Sequence, residues 1–356
     1  MIKIALLGCG RVSQHFKRFL EPGALHKGKL VGLCDVRHGR AAAMSRDLGV
    51  PKFPQLDDLL STAKPDLVII ATPSGLHYEH CRDVLLGGCH VLVEKPAAMT
   101  PDEILANDQL AKERGLLYGV TFQNRLNPAV ALLEKAVERE RFGRIVSVAV
   151  RLRWCREQSY YEDGWHGTWA SDGGVINQQA IHHLDAMQWL FGPVASVVAS
   201  MANRLNRLEA EDTLVAVGRL KKGGLVTIEA TTAARPRDFE ASLTVTGELG
   251  VARIGGIALN KVEEWSFVHP VPEDEEAPTC HSQEVPNAYG LSHGPLFQRV
   301  VDALERGSIR APISALESAA TTQLVHALYR SCEIGSWVSL DTHPLSSKLG
   351  VQSGGN

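Results

Sequence analysis

The sequence lacks any CxxC pair. Its seven cysteines (Cys9, Cys34, Cys81, Cys89, Cys155, Cys280 and Cys332) are odd in number and widely scattered. That pattern signals neither a zinc knuckle nor a redox dithiol, and fits small apolar core residues in a reducing compartment. No stretch approaches the roughly 20 apolar residues needed to span a bilayer. The opening MIKIALLGCG runs from a short apolar segment straight into glycines, without a signal-peptide cleavage region. A cytoplasmic protein that does not enter a membrane is therefore expected. Neither sign of charge dominates: 37 Lys and Arg against 40 Asp and Glu give a formal net charge of −3. This leaves no global basic field to hold nucleic acid, and no defensible helix–turn–helix signature accompanies it. Local groups such as Arg151, Arg153 and Arg156 are the remaining candidates for an anion site. There is no HExxH, no internal repeat and no long low-complexity segment.

The 356 residues are enough for two or three domains with a real core. The first third alternates short apolar runs (2–7, 29–34, 66–71 and 90–93) with amphipathic stretches (12–20, 39–48, 56–61 and 76–86). Continuous apolar strands alternating with helices predict a parallel sheet covered on both faces, an α/β doubly wound domain. A helix over Pro101–Arg114, with Thr100 as N-cap and Pro101 in its first turn, and a strand over 116–121 complete a domain of residues 1–122. A helix over 128–139 follows. Strands are then expected at 144–154, 194–204, 213–220, 225–232, 239–247, 251–255 and 262–268, with Lys221-Lys222-Gly223-Gly224 as a turn. The acidic, proline-containing stretch 270–286 reads as a surface loop, and 296–305 and 315–334 as closing helices. Residues 123–345 are thus expected to form a second α/β domain around a large, open, mostly antiparallel sheet. The Ser/Gly-rich 346–356 reads as a flexible tail.

Gly8-Cys9-Gly10-Arg11-Val12-Ser13 follows the first strand and opens a helix. Gly8 permits a tight turn, Gly10 lets backbone approach a pyrophosphate, and the N–H groups at Arg11 and Val12 begin the helix end that binds it. Ser13 replaces the third glycine of the dinucleotide fingerprint and is small enough to keep the helix close. Asp35, at the end of the second strand, stands where a carboxylate binds adenosine ribose hydroxyls, which favours NAD over NADP; Arg37 partly offsets it. Thr72-Pro73-Ser74 turns at the same sheet edge.

Glu94-Lys95-Pro96 delivers a lysine to that edge. Beside a positively charged nicotinamide its pKa should fall, allowing it to hold or relay a hydroxyl proton; taken alone, Lys95 would read as a surface lysine. A second cluster spans residues 173–190, where Gln178, His182 and Asp185 fall at helical spacing and share a face. An imidazole held by a carboxylate one turn on suits a general acid/base. Packing at a domain interface is the alternative for His182 and His183. A metal site is not expected, since adjacent helical histidines point about 100° apart.

Taken together, GCGRVS, Asp35, ATPSGLH at 71–77, EKP at 94–96 and GG…AIHHLD resemble the Gfo/Idh/MocA oxidoreductases, in order, from residue 1 to about 330. The resemblance implies a Rossmann domain plus an open-sheet α/β domain, an NAD cofactor, and a homodimer or homotetramer. It gives Lys95 the role of orienting substrate and His182 that of acid/base, and puts His77, Gln123 and Glu94 beside the cofactor. Many polyol dehydrogenases of the family carry aspartate four residues before the histidine; Gln178 stands here and cannot accept a proton. The QNRLNP stretch containing Arg125, and the loop Tyr160-Tyr161…Trp165…Trp169, resemble those of sugar-nucleotide members that oxidise the 3-hydroxyl of a UDP-N-acetylhexosamine or its uronate. Arg125, Tyr161, Trp169 and Gln178 are accordingly expected to contact substrate. A free sugar or inositol dehydrogenase, an NAD-dependent glycosidase and a non-catalytic NAD sensor are the competing readings.

Overall fold

A computed structural model describes residues 1–351. They form two units, one of residues 1–123 with 291–319, the other of residues 124–290 with the chain from 320 onward. The first contains β1 (Ile2–Leu7), α1 (Arg11–Leu20), β2 (Gly28–Cys34), α2 (His38–Leu48), β3 (Lys52–Phe53), α3 (Leu56–Ala63), β4 (Leu67–Ile70), α4 (His77–Leu86), β5 (His90–Val93), α5 (Pro101–Arg114) and β6 (Tyr118–Val120). The second contains α6 (Pro128–Glu138), β7 (Ile145–Arg153), α7 (Val175–Gln178), α8 (Ile181–Phe191), β8 (Val194–Ala202), β9 (Thr213–Leu220), β10 (Leu225–Thr231), β11 (Glu240–Gly247), β12 (Gly250–Gly255), β13 (Lys261–Phe267) and α9 (Glu273–His281). The chain then returns to the first unit with α10 (His293–Glu305), and ends with α11 (Ala315–Ile334) and β14 (Val338–Ser339).

In the first unit six parallel strands take the order β3-β2-β1-β4-β5-β6. The core strands are apolar throughout because both faces are covered: every residue of β4 is buried. Leu7 pairs with Cys34 on one side and Ile70 on the other, so the chain leaves β1, β2 and β4 along one edge, at Gly8, Asp35 and Ala71. The order reverses between β1 and β4, which opens a crevice at that edge. α5 starts with a capping box in which Thr100 Oγ1 accepts the Glu103 N–H and Glu103 accepts the Thr100 N–H.

The second unit is built on an eight-stranded sheet, β13-β12-β11-β7-β10-β9-β8-β14. It is mixed: β7 and β10 run parallel and the other pairs antiparallel. Alternation of period 2 sends Val148, Val150, Leu152, Leu214, Ile228 and Leu243 into the core. The opposite face carries Val215, Val217 and Leu225, which are 50%, 45% and 61% exposed.

Four features differ from the sequence expectation. Residues 291–319, expected in the second domain, belong to the first unit, where the Phe297 ring meets Phe16 at 5.0 Å. The acidic stretch 270–286 contains α9, whose four acidic residues gather at its N-terminus, where the helix dipole favours them; Arg141 grips Asp274 with two bonds of 2.6 and 2.7 Å. Part of the expected flexible tail is tied down: Ser346 bonds His326 and Glu333, and the Gly350 N–H bonds Trp169. Residues 352–356 of that tail lie outside the described residues. Finally, the short edge strands β3 and β14 carry too few residues to show a period in sequence.

Candidate active site

At the carboxyl edge of the first sheet, Gly8 takes φ 97°, and a Cβ there would lie 2.5 Å from the Ala71 carbonyl oxygen. Only glycine meets both conditions. Ser13 Oγ donates back to the Gly8 carbonyl at 2.7 Å, so the serine closes the turn as well as fitting beneath it. Asp35 lies alongside: its carboxylate accepts the Cys9 N–H and the Arg37 N–H, both at 2.7 Å. The next side chain, Val36, is 79% exposed, an apolar surface at this edge that the sequence reading did not single out. Arg11 and Arg37 are exposed at this edge, and Val12 is half-buried.

His77 is buried between two loops of the edge. Its Nδ1 lies 2.6 Å from the Pro96 carbonyl oxygen and its Nε2 2.9 Å from that of Thr72. Burial lowers its pKa below the ordinary imidazole value. His77 therefore lies between the Thr72-Pro73-Ser74 turn and the Glu94-Lys95-Pro96 turn, able as a neutral ring to donate to one of the two carbonyls, rather than lining open space, and Thr72 Oγ1 meets His80 at 2.9 Å. Glu94 is 6% exposed, with His293 Nε2 of α10 at 3.6 Å. Burial pushes this carboxyl up, but His293 and the Lys95 charge outweigh it and hold it below its ordinary value, as a carboxylate. Lys95 itself is half-buried at the end of this turn, and Gln123 is buried where the unit ends.

In the second unit the expected continuous helix through Gln178 and Asp185 is broken: α7 stops at Gln178 and α8 starts at Ile181. Gln178 and His182 thus sit on separate helices. Gln178 Nε2 donates to Asp172, whose other oxygen accepts the Gly167 N–H at 2.7 Å. Asp172, 1% exposed, was not foreseen. Asp185 receives a bidentate grip from Arg125, with Nε at 2.8 Å and Nη2 at 2.7 Å, and the guanidinium also lies 5.0 Å from the Trp189 ring. Arg125, expected at the substrate, thus anchors the helix that carries His182. His182 is 9% exposed and His183 fully buried, its pKa lowered to about 4 by burial. The two histidines differ as their helical angle requires.

The aromatic loop forms a cluster. Tyr160 and Trp165 flank His166 with ring centroids at 4.3 and 3.7 Å, and His166 Nδ1 lies 2.7 Å from Asp163. The Asp163-x-x-His166 spacing was the available signal for this pair. Tyr161 OH meets Thr232 Oγ1 at 2.7 Å, and burial pushes its pKa up to about 12. Trp169 packs edge-on to Tyr329 at 5.1 Å. The expected arginine cluster does not present free charge. Arg153 is bound by Glu229 and Glu240, and Arg156 by Asp238, although Arg153 and Arg235 line a cavity of about 520 Å³. Among the described residues, no group of three His, Cys, Asp or Glu side chains is arranged to hold a metal, and no helix is long and apolar enough to cross a membrane.

Residues 2–122 match the family described as an oxidoreductase family with an NAD-binding Rossmann fold, and residues 134–340 its C-terminal alpha/beta domain. Among solved structures, the WlbA dehydrogenase of Bordetella pertussis, in complex with NADH and UDP-GlcNAcA, is 35% identical; the match covers 95% of this chain and 97% of that one, with a TM-score of 0.88. The D-glucoside 3-dehydrogenase of Escherichia coli is 28% identical over 67% of this chain and 72% of its own length. An uncharacterised oxidoreductase of Synechocystis is 29% identical over 50% of this chain, and the chain spans 52% of that protein's length.

Proposed function

We propose a substrate for a chain that belongs to the Gfo/Idh/MocA oxidoreductase family and is an NAD-dependent oxidoreductase: a nucleotide-linked amino sugar, such as UDP-GlcNAc or its uronate, oxidised at its C3 hydroxyl. The observation that carries this reading is the 35% identity, over nearly the whole chain, to a dehydrogenase crystallised with NADH and UDP-GlcNAcA. The aromatic cluster of Tyr160, Trp165 and His166 supports it, offering flat faces and polar edges of the kind sugars and bases use.

The residues of the first sheet edge fit the cofactor. Gly8 keeps the turn open to a pyrophosphate, Asp35 receives the ribose hydroxyls, and Val36 offers an apolar face to the adenine. NAD supplies the hydride acceptor. In this reading Lys95 holds the reacting oxygen and His182 takes its proton. Gln178, oriented by Asp172, hydrogen-bonds a neighbouring hydroxyl. A cytoplasmic homodimer or homotetramer belongs to the same proposal, supported by seven free thiols and by the exposed Val215, Val217 and Leu225 on one sheet face.

Absorbance at the NADH band, with NAD and a panel of UDP-GlcNAc, its uronate, free sugars and inositols, tests the substrate, with product mass as the check. A UDP-sugar-dependent rise with loss of two hydrogens is expected. Lys95→Ala and His182→Ala should each lose about 100-fold or more in turnover while still binding NAD. Near-normal turnover in both would sink the assignment. The second reading, a free-sugar dehydrogenase, is favoured by the similarity to the E. coli glucoside enzyme; a rise with free sugars alone would establish it.

A further inference from the structure

Glu211 lies outside every motif read from the sequence, in the connection between β8 and β9. Its Oε1 accepts the Ile176 N–H at 3.0 Å and the Tyr329 hydroxyl at 3.1 Å. Its main-chain oxygen accepts the Val175 N–H at 3.0 Å, and the Tyr329 oxygen accepts the Gly174 N–H at 2.9 Å. Three successive N–H groups at the start of α7, which the helix cannot satisfy itself, thus end on one glutamate and one tyrosine. Both side chains are buried, Glu211 at 2% and Tyr329 at 0% exposure. A Cβ on Gly174 would lie 2.1 Å from Glu211 Oε2, so the glycine is what admits the carboxyl. Three residues beyond Val175 stands Gln178, and α8 with His182 follows after two more.

We propose that Glu211 and Tyr329 form a latch that fixes the start of α7 and thereby the placement of Gln178 and His182, which makes Glu211 a positioning residue for the oxidation. The catalytic half of this proposal rests on the function proposed above; the latch itself does not.

Glu211 works here as a neutral group. Burial pushes its carboxyl up to about 8; its bonds from Ile176 and Tyr329 pull the other way, and Asp212 adds to the rise. Oε2 has no hydrogen-bond partner. The titratable groups that bear on the pair are acidic. Asp212 has its carboxylate held by the N–H groups of Arg204, Leu205 and Asn206; Asp172 bears on Tyr329; and Cys332 of α11, pushed up to about 12, is itself raised by Glu211. An ionised Glu211 would thus be a buried charge without a counter-ion. Because the folded pKa exceeds the unfolded value of 4.5, the stability this carboxyl confers is whole below that value, declines as pH rises from there, and is gone once pH has passed about 8.

Glu211→Gln keeps the shape, the acceptor oxygen and the neutrality. Wild type, E211Q and Y329F, as full-length proteins, are compared for kcat and KM from about pH 6 to about pH 10, with melting temperatures in parallel. The expected result is a wild-type kcat that falls above about pH 8 with KM moving less than about twofold, and an E211Q enzyme active within about threefold of wild type at neutral pH without that fall. Y329F should lower kcat more than it raises KM. Wild type should lose melting temperature relative to E211Q as pH rises from about 6 to about 8, and lose no more above that. The melting comparison needs no substrate: if no sugar is oxidised but the pH-dependent difference is seen, the function fails and the latch stands. If melting temperature and kcat follow pH identically in wild type and E211Q, or if E211Q is inactive at neutral pH while folded, the latch is overturned.

Discussion

In the function proposed above, Asp35 carries two tasks with one carboxylate. Its oxygens accept the Cys9 and Arg37 N–H groups, which shapes the glycine turn, and the same carboxylate would receive the ribose hydroxyls. Asp35→Ala should therefore raise the KM for NAD by about 10- to 100-fold, the range expected for losing hydrogen bonds to a charged group. It should raise the KM for NADP less, because the repulsion toward a 2′-phosphate goes with it; initial rates with each cofactor measure the ratio. The place of Asp35 beside the glycine turn was legible in the sequence, because the alternation of strands and helices sets the ends of β1 and β2 at one sheet edge. Asp172 and Glu211 were not: Asp172 stands six residues before Gln178, a spacing that matches no helix or strand period, and Glu211 reaches the start of α7 from 35 residues away.

Among the elements, those with a strong local signal were read well. α5 has proline at its first turn, an N-cap threonine and a glutamate three residues on, and its bounds match the expectation. Replacing Thr100 with alanine removes the side-chain acceptor of the capping box. It should cost about 1 kcal/mol of stability, read from the denaturation midpoint, and leave turnover unchanged. The break between α7 and α8 was not legible. Ile176, Gln178, Ile181, His182 and Asp185 keep a helical spacing, yet all are buried and their contacts set the backbone path. The same holds for α9, where acidic and proline residues suggest a loop until Arg141 closes on Asp274.

At the scale of the molecule, the homo-oligomer proposed above would use the open sheet face. A row of exposed valine and leucine on one side of a sheet is apolar surface that water disfavours. Val217→Glu should shift the protein toward a smaller species in analytical ultracentrifugation; an unchanged mass would remove this face from the interface.

The sequence by itself determined the doubly wound first unit, the turn at Gly8, Asp35, the lysine turn and the histidine helix. Each of these is written in a short-range pattern: apolar runs, glycines at fixed offsets, residues one helical turn apart. The tertiary structure alone decided that 291–319 returns to the first unit and sets His293 beside Glu94. It also decided that Arg125 closes on Asp185, and that Glu211 and Tyr329 hold α7. These are pairings between residues 35 to 199 positions apart in sequence. They arise because a buried polar group must find a partner wherever the packed chain supplies one.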